Sequence, residues 1–308
     1  MTKNVLVTGV AGFIGRYVAR HFSALGYSVI GTDTSDAENA PLESLAAYYT
    51  LRLPTPLLKE VLQDHQPTVC IHCAGRSAPG LSMSEPMPDF YANTVVTYEV
   101  LNTLRLIVPS CRFIYLSSAA VYGNPRSLPV SETQTPAPVS PYGFHKLQGE
   151  MLCKEFTQIY GVPTASVRIF SAYGPGLRRQ VLWDICQKIV TNKTLVLQGT
   201  GEESRDFVHA LDIAKALNII ANDGLMQGEV YNLASGQEVR IRELATLVSS
   251  SLDSNCPPEF DGVVPSGTPL NWQADISKLK GLGFTPSVVL ERGVKTFANW
   301  CLAELVGA

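Results

Sequence analysis

The stretch Val5-Leu6-Val7-Thr8-Gly9-Val10-Ala11-Gly12-Phe13-Ile14-Gly15 decides the fold of this chain. Its apolar start fits a buried parallel strand. The glycines follow as Gly-x-x-Gly-x-x-Gly, and Phe13, Ile14, Tyr17, Val18, His21, Phe22 and Leu25 then recur at helical spacing. Strand, glycine turn and helix in that order make a pyrophosphate cradle: the turn lets backbone approach phosphate, and the helix N-terminus supplies free N–H groups and positive potential. A second strand, Tyr27 to Thr32, ends in Asp33, eighteen residues after Gly15. An acid there accepts hydrogen bonds from an adenosine ribose and repels a 2′-phosphate; taken alone it would read as a loop cap.

Outward from this unit, strands and helices alternate to about Phe170. Strands are expected at Val5–Val7, Ser28–Asp33, Ala47–Leu51, Thr68–Cys73, Arg112–Ser117 and Pro163–Ile169. Helices are expected at Phe13–Leu25, Leu57–Gln63, Asp89–Ile107 and Tyr142–Tyr160. Such alternation predicts an α/β doubly wound parallel sheet. After Gly174-Pro175-Gly176 the pattern shortens and mixes, with helical segments near Val181–Thr191, Leu211–Asn222, Ile241–Ser250 and Leu290–Leu305. Asn255 to Pro269 is rich in Pro and Gly and reads as loop.

Ser140-Pro141-Tyr142-Gly143-Phe144-His145-Lys146 reads as a helix start, with Ser140 as cap and Pro141 in the first turn. Residues four apart share a helical face, so the Tyr142 phenol and the Lys146 ammonium point into one site. A nearby cation lowers a phenol pKa and makes a general base usable near neutral pH. On its own Tyr-x-x-x-Lys is also what a solvated helix face shows. Arg112 to Ser118 reads as a strand ending in two hydroxyls, twenty-four residues before Tyr142. Ligands of open α/β sheets bind at that end of the strands.

As a set, these features resemble the extended short-chain dehydrogenases/reductases of the nucleotide-sugar epimerase/dehydratase family. The signatures are Thr8-Gly9-x-x-Gly12-x-x-Gly15, Asp33, His72-Cys73-Ala74-Gly75, Asn93, Ser117-Ser118-Ala119-Ala120-Val121-Tyr122-Gly123 and Tyr142-x-x-x-Lys146. Further matches are Arg168-Ile169-Phe170-Ser171-Ala172-Tyr173-Gly174-Pro175-Gly176, Arg205-Asp206-Phe207-Val208-His209 and Tyr231-Asn232-Leu233-Ala234-Ser235-Gly236. The resemblance implies a Rossmann-type dinucleotide domain over 1–170. It implies a smaller mixed α/β substrate lobe mainly over 171–308, with segments returning to the main sheet. It implies NAD held by Gly9, Gly12, Phe13, Ile14, Gly15, Asp33, Ala74, Gly75, Asn93, Ser117, Tyr142, Lys146 and Phe170. Ser118, Tyr142 and Lys146 are the implied catalytic group. Ser118, Ser171 and Arg205 are the implied contacts to a nucleotide-diphosphate sugar, with Arg178 or Arg179 of the following loop as the recruit for the family's second arginine, which this chain lacks. A homodimer through helices 89–107 and 142–160 is implied too. The sparse charge of the first helix, only Asp89, Glu99 and Arg105, suits such an interface or a covering loop.

Departures from the pattern narrow the reaction. Dehydratases of the family carry Asp-Glu after the catalytic hydroxyl, where this chain has Ala119 and Ala120. Decarboxylases of the family use a glutamate at the second place. Ser171 replaces the usual asparagine, the region 263–268 lacks the usual second arginine, and Thr50-Leu51-Arg52-Leu53 lacks the adenine-binding acid. Arg205 can hold diphosphate or pair with Asp206. The expected reaction is an NAD-dependent sugar 4-epimerisation. The alternatives are an NAD(P)H-dependent reduction of a 4-keto-6-deoxy sugar and, in another class, a non-catalytic dinucleotide sensor or scaffold.

Composition sets outer bounds. The 308 residues are 45% hydrophobic and 17% charged, with a net charge of −3 that offers no general attraction to nucleic acid. No apolar run reaches the roughly 18 residues of a membrane span. The early first strand leaves no room for a signal peptide, and seven scattered cysteines fit a reducing cytoplasm. Cys70-x-x-Cys73 ends a buried strand; its members point to opposite faces, so no metal is expected there.

Overall fold

In the computed structural model, which describes residues 3–192, 195–254, 256–264 and 269–307, the chain opens with β1 (Asn4–Thr8), α1 (Phe13–Ala24), β2 (Ser28–Asp33), β3 (Ala47–Thr50), α2 (Leu57–His65) and β4 (Val69–His72). Next, α3 (Pro79–Ser84) and α4 (Pro86–Phe90) lead through a wide π-helical turn, Tyr91–Val95, into α5 (Val96–Ile107). The strand β5 (Arg112–Ser118), the long helix α6 (Pro141–Tyr160) and β6 (Thr164–Ile169) follow. After them come β7 (Ser171–Tyr173), α7 (Gln180–Asn192), β8 (Leu195–Leu197), β9 (Ser204–Arg205), β10 (Phe207–His209), α8 (Ala210–Asp223) and β11 (Gln227–Leu233). The chain ends with β12 (Val239–Arg240), α9 (Ile241–Ser251), β13 (Pro258–Phe260), α10 (Ser277–Lys280) and α11 (Leu290–Val306).

Among the described residues, the main sheet has seven parallel strands in the order β11-β6-β5-β4-β1-β2-β3. Strand order reverses between β1 and β4. Their carboxyl ends open the crevice where doubly wound sheets bind ligands. Alternation along β1 divides the core. Val5 and Val7 pack with Val18 and Phe22 of α1 and with Ile213 and Leu217 of α8. Leu6 faces the other way, toward Leu62, Leu101 and Phe156 of α2, α5 and α6. Beyond residue 170, β11 returns to the edge of this sheet, whereas α7, α9 and α11 build a separate core around Ile185, Leu244, Val248 and Phe297.

Two expectations are corrected. The helix expected as one piece from Asp89 begins at Pro86, where a fixed φ suits the first turn, and is widened at Tyr91–Val95. The loop expected over 255–269 contains a strand, β13, paired in parallel with β8; its Asn255 and residues 265–268 lie outside the described residues. No helix among the described residues is long and apolar enough to cross a membrane.

The helix α6 is fixed to the sheet by a buried ion pair. Arg168 on β6 donates through Nε and Nη2 to Glu150 on α6 at 2.9 and 2.7 Å, and the Ser117 hydroxyl donates to the same carboxylate at 2.5 Å. Both charged side chains are about 95% buried (5% and 6% exposed). Removing one partner of such a pair costs about 3–5 kcal/mol, because the other is left charged and dry. Arg168→Met is expected to lose that much stability in urea unfolding, and adding Glu150→Leu to recover most of it.

Candidate active site

The glycine turn is built for close approach. Gly9 has a φ of +68° and donates to the Thr32 carbonyl at 2.7 Å. A Cβ at Gly9 would lie 2.6 Å from the Ala74 nitrogen, and one at Gly15 would lie 2.2 Å from the Gly9 carbonyl oxygen. The helix α1 starts at Gly12 with no side-chain cap and no acid in its first turn, leaving its first N–H groups free for an anion. Phe13 and Ile14 are its first residues. Asp33 stands beside this turn. Its Oδ2 accepts from the Ala11 N–H at 2.9 Å, and its Oδ1 from those of Thr34 at 2.7 Å and Ser35 at 3.1 Å. It therefore caps the loop and faces the crevice at once.

Behind the turn runs a buried hydrogen-bond chain. The Ala74 N–H donates to Thr8 Oγ1 at 3.3 Å, and Thr8 Oγ1 lies 2.8 Å from His72 Nδ1. His72 Nε2 lies 3.3 Å from Thr97 Oγ1, which donates to the Asn93 carbonyl at 2.8 Å. Burial pushes the His72 pKa down to about 3, so the ring is neutral. Donors and acceptors balance if Nε2 carries the proton and Nδ1 accepts from Thr8. The chain ties the ends of β1 and β4 to the π-helical turn. There Asn93, 1% exposed, has neither amide atom hydrogen-bonded. Its Oδ1 would be 2.7 Å from a Cβ at Gly75, and Lys146 Nζ 3.6 Å from the same point.

The helix α6 brings Tyr142 and Lys146 to this place. Ser140 Oγ accepts from the Gly143 N–H at 3.3 Å, and Pro141 occupies the first turn. The phenol is buried, with the side chains of Ser118 and Ser77 as its polar neighbours. Here a sequence expectation is overturned: the phenol pKa is raised, not lowered. Burial is the main cause and Asp89 adds to it, while Ser118, Ser77 and the Arg179 charge oppose it. Lys146 does not offset the burial, because its Nζ sits 5.9 Å from the Tyr142 ring centroid and donates to the Leu116 carbonyl at 2.9 Å. Burial brings the Lys146 pKa down to about 8.

The remaining expected residues divide. Ser118 lies at the end of β5, accepting from the Ala120 N–H at 3.2 Å. The Ser117 hydroxyl is committed to Glu150, away from the crevice, so only its backbone is available there. Phe170 packs between Tyr122 and Trp272. Ser171 is half-buried, its N–H on the Asp206 carbonyl at 3.0 Å. Arg205 does not pair with Asp206, whose carboxylate instead accepts from Ser235, Gly236 and Ala274. It lies over the Trp272 ring at 5.3 Å and lines a cavity of about 450 Å³ with Val181, Gln198, Gly199 and Ile241. Arg178 is engaged in a surface ion pair. Its guanidinium is exposed, donating to Glu304 at 3.0 and 2.5 Å over Trp300, and Arg179 is the neighbour whose charge reaches Tyr142. Ser77, Asp89 and His145 were missed. Asp89 is 1% exposed, and its Oδ2 is 2.6 Å from His145 Nδ1, next in sequence to Lys146.

Comparison with known proteins gives this arrangement its family. The model of the NAD dependent epimerase/dehydratase family matches residues 5–234. The chain belongs to that family. It is 27% identical to dTDP-glucose 4,6-dehydratase 1 of Escherichia coli K12, over 97% of this chain and 93% of that protein. The UDP-glucose 4-epimerase of Thermotoga maritima, solved with UDP-glucose, superimposes with a TM-score of 0.88 at 26% identity, covering 98% and 99% of the two chains. The UDP-glucuronic acid 4-epimerase of Bacillus cereus, solved with UDP-glucuronic acid and NAD, does so with 0.88 at 28% identity, covering 97% and 98%.

The family's dinucleotide fits the residues present. The glycine turn is a cradle that a Cβ would fill, and the orphaned Asn93 amide offers buried polar atoms beside Gly75 and Lys146. In calorimetric titration, NAD is expected to bind more tightly than NADP, since Asp33 would face the 2′-phosphate; the reverse order would remove Asp33 from the ribose. Gly15→Ala is expected to weaken NAD by about tenfold or more, because a Cβ 2.2 Å from backbone forces the turn apart.

Proposed function

We propose that the protein is an NAD-dependent nucleotide-sugar 4-epimerase. The observation that carries this reading is the buried Tyr142 phenol, with Ser118 and Ser77 as its polar neighbours and with Ala119 and Ala120 following Ser118 in the chain. Neither alanine can transfer a proton, so the acid–base pair that the resemblance assigns to dehydration is missing. The epimerases from Thermotoga maritima and Bacillus cereus support the reading by their likeness over nearly the whole chain.

In this reading Tyr142, in its phenolate form, takes the proton of the sugar hydroxyl and later returns it as the phenol. Ser118 donates a hydrogen bond to the reacting oxygen and holds it against the phenol. Lys146, as an ammonium, is a ribose ligand and a positive charge under the Tyr142 ring. When bound, NAD supplies a hydride acceptor that is restored at the end of each turnover. Gly9, Gly12, Gly15, Phe13 and Ile14 hold its pyrophosphate. Asp33 takes the adenosine ribose, and Ala74, Gly75 and Asn93 the space above Lys146. Residues 1–170 form the dinucleotide domain, and 171–308 mainly the sugar-nucleotide lobe. In that lobe Arg205 and the cavity of about 450 Å³ receive the nucleotide diphosphate, with Ser171 nearby. Of the two loop arginines, Arg179 is the one assigned here, since its charge reaches Tyr142.

The active form is a homodimer. Tyr91, Tyr98 and Leu106 on one helical run, and Phe144, Met151 and Ile159 on α6, are exposed apolar residues spaced seven or eight apart. Such spacing draws one stripe per helix, the pattern of a four-helix seam with a second copy.

With UDP-sugars, NMR is expected to show interconversion of C4 epimers without net change in reduced-nicotinamide absorbance. Activity that consumes NAD(P)H stoichiometrically would make the protein a reductase. Tyr142→Phe is expected to lower kcat by about 10²–10⁴-fold with the fold intact. Sedimentation is expected to show a dimer that Met151→Glu with Ile159→Glu converts to monomer.

A further inference from the structure

The backbone of Tyr142 is gripped from outside its own helix. Pro141 opens α6 and has no N–H, so the first amide that points out of the helix end belongs to Tyr142 itself. The next amide, that of Gly143, donates to Ser140 Oγ at 3.3 Å, and that of Phe144 to the Ser140 carbonyl at 3.2 Å. The Tyr142 amide goes to another element. It donates to Ser82 Oγ of α3 at 3.1 Å, and the Ser82 hydroxyl donates in turn to the Pro79 carbonyl at 2.6 Å. The direction of this relay is fixed, because a backbone N–H only donates and a carbonyl only accepts. Ser82 is 1% exposed and Tyr142 5%, so the bond is shielded from solvent.

Gly143 sets the opposite side. A Cβ there would lie 2.6 Å from the Ala120 carbonyl oxygen, and the Ala120 N–H donates to Ser118 Oγ at 3.2 Å. The first turn of α6 is therefore pinned between α3 and the turn that follows Ser118. The segment carrying Ser82 starts at Gly75, just beyond β4, and passes Ser77, a polar neighbour of the phenol. An ion pair between Arg76 and Glu85 at 2.8 Å closes its ends. One short segment thus meets Tyr142 at both its side chain and its backbone.

We propose that Ser82 is a positioning residue of this site: by accepting from the Tyr142 amide, it sets where the phenol stands relative to Ser118. Without the hydroxyl, that amide is a buried donor with no partner, and the first turn of α6 shifts to find one. The phenol rides on that turn. A misplacement of about 1 Å at a reacting group costs up to about 10²-fold in rate.

The inference rests on the role given to Tyr142 above, but one arm of its test needs no turnover. Ser82→Ala is expected to lower kcat by about 10- to 100-fold. The KM for a UDP-sugar and the Kd for NAD are expected to stay within about twofold of the parent, since the loss falls on geometry at the reacting atoms and not on binding. Ser82→Thr restores the acceptor and is expected to bring kcat back to within about threefold. A folded Ser82→Ala with parental kcat, or one whose binding falls as far as its kcat, would overturn the proposal. Where Ser82→Ala does not fold, Ser82→Cys decides, because a thiol is of similar size but accepts weakly: a lowered kcat is expected, and a parental one counts against Ser82. Crystal structures of the parent and the folded variant, both with NAD, read the position directly. The Tyr142 phenol is expected to move by about 1 Å relative to Ser118. An unmoved phenol overturns the proposal, whether or not the protein proves to be an epimerase.

Discussion

One carboxylate holds the chemistry of this protein in place. Glu150 accepts from Arg168 on β6 and from Ser117 on β5, and so fixes α6 against two neighbouring strands. Tyr142, His145 and Lys146 all ride on that helix. Gly149, beside Glu150, allows the same contact from the other direction, since a Cβ there would meet the Tyr115 ring at 2.4 Å. With the helix axis fixed, the start of α6 is held by the Ser140 cap and by Ser82 Oγ, which accepts from the Tyr142 N–H at 3.1 Å.

Burial, more than local charge, sets the electrostatics above that helix. It raises the Tyr142 phenol and lowers Lys146, moving both toward their neutral forms. Polar neighbours then correct each group separately: Ser118, Ser77 and Arg179 act on the phenol, and Asp89 on the ammonium. Arranged this way, the site keeps few permanent charges in a dry crevice. The same logic explains the neutral His72, whose task is to order a chain of donors between β1, β4 and the π-helical turn.

The parts legible in the sequence are those written in local chemistry. Gly9 and Gly15 must be glycines because backbone passes within a bond-length or two of where a side chain would begin. The strand periods and the Ser140-Pro141 helix start are likewise local. What was not legible depends on distant partners. Arg178 and Arg179 are adjacent and chemically identical, and what separates them is distant: Glu304, over a hundred residues away in α11, pairs with the first, while the charge of the second reaches Tyr142. In the sequence Asp89 is one of three charges on its helix, and nothing local marks His145 as the group it meets. The phenol pKa was misjudged because spacing on a helix says which groups share a face, not how dry that face is. Ser77 sits in irregular backbone, where no period marks it.

The widened turn at Tyr91–Val95 has a geometric consequence. Asp89, Asn93 and Thr97 are all buried, at 1%, 1% and 0% exposure. In an unbroken α-helix, residues eight apart differ in azimuth by about 80°, so Asp89 and Thr97 would sit toward opposite edges of one buried face. One extra residue absorbed in the turn takes back about 100°, leaving them within about 20° of each other. The turn is thus a phase corrector. It aligns three polar groups in a single row beneath the crevice, and it sends the residues beyond it outward in step with α6.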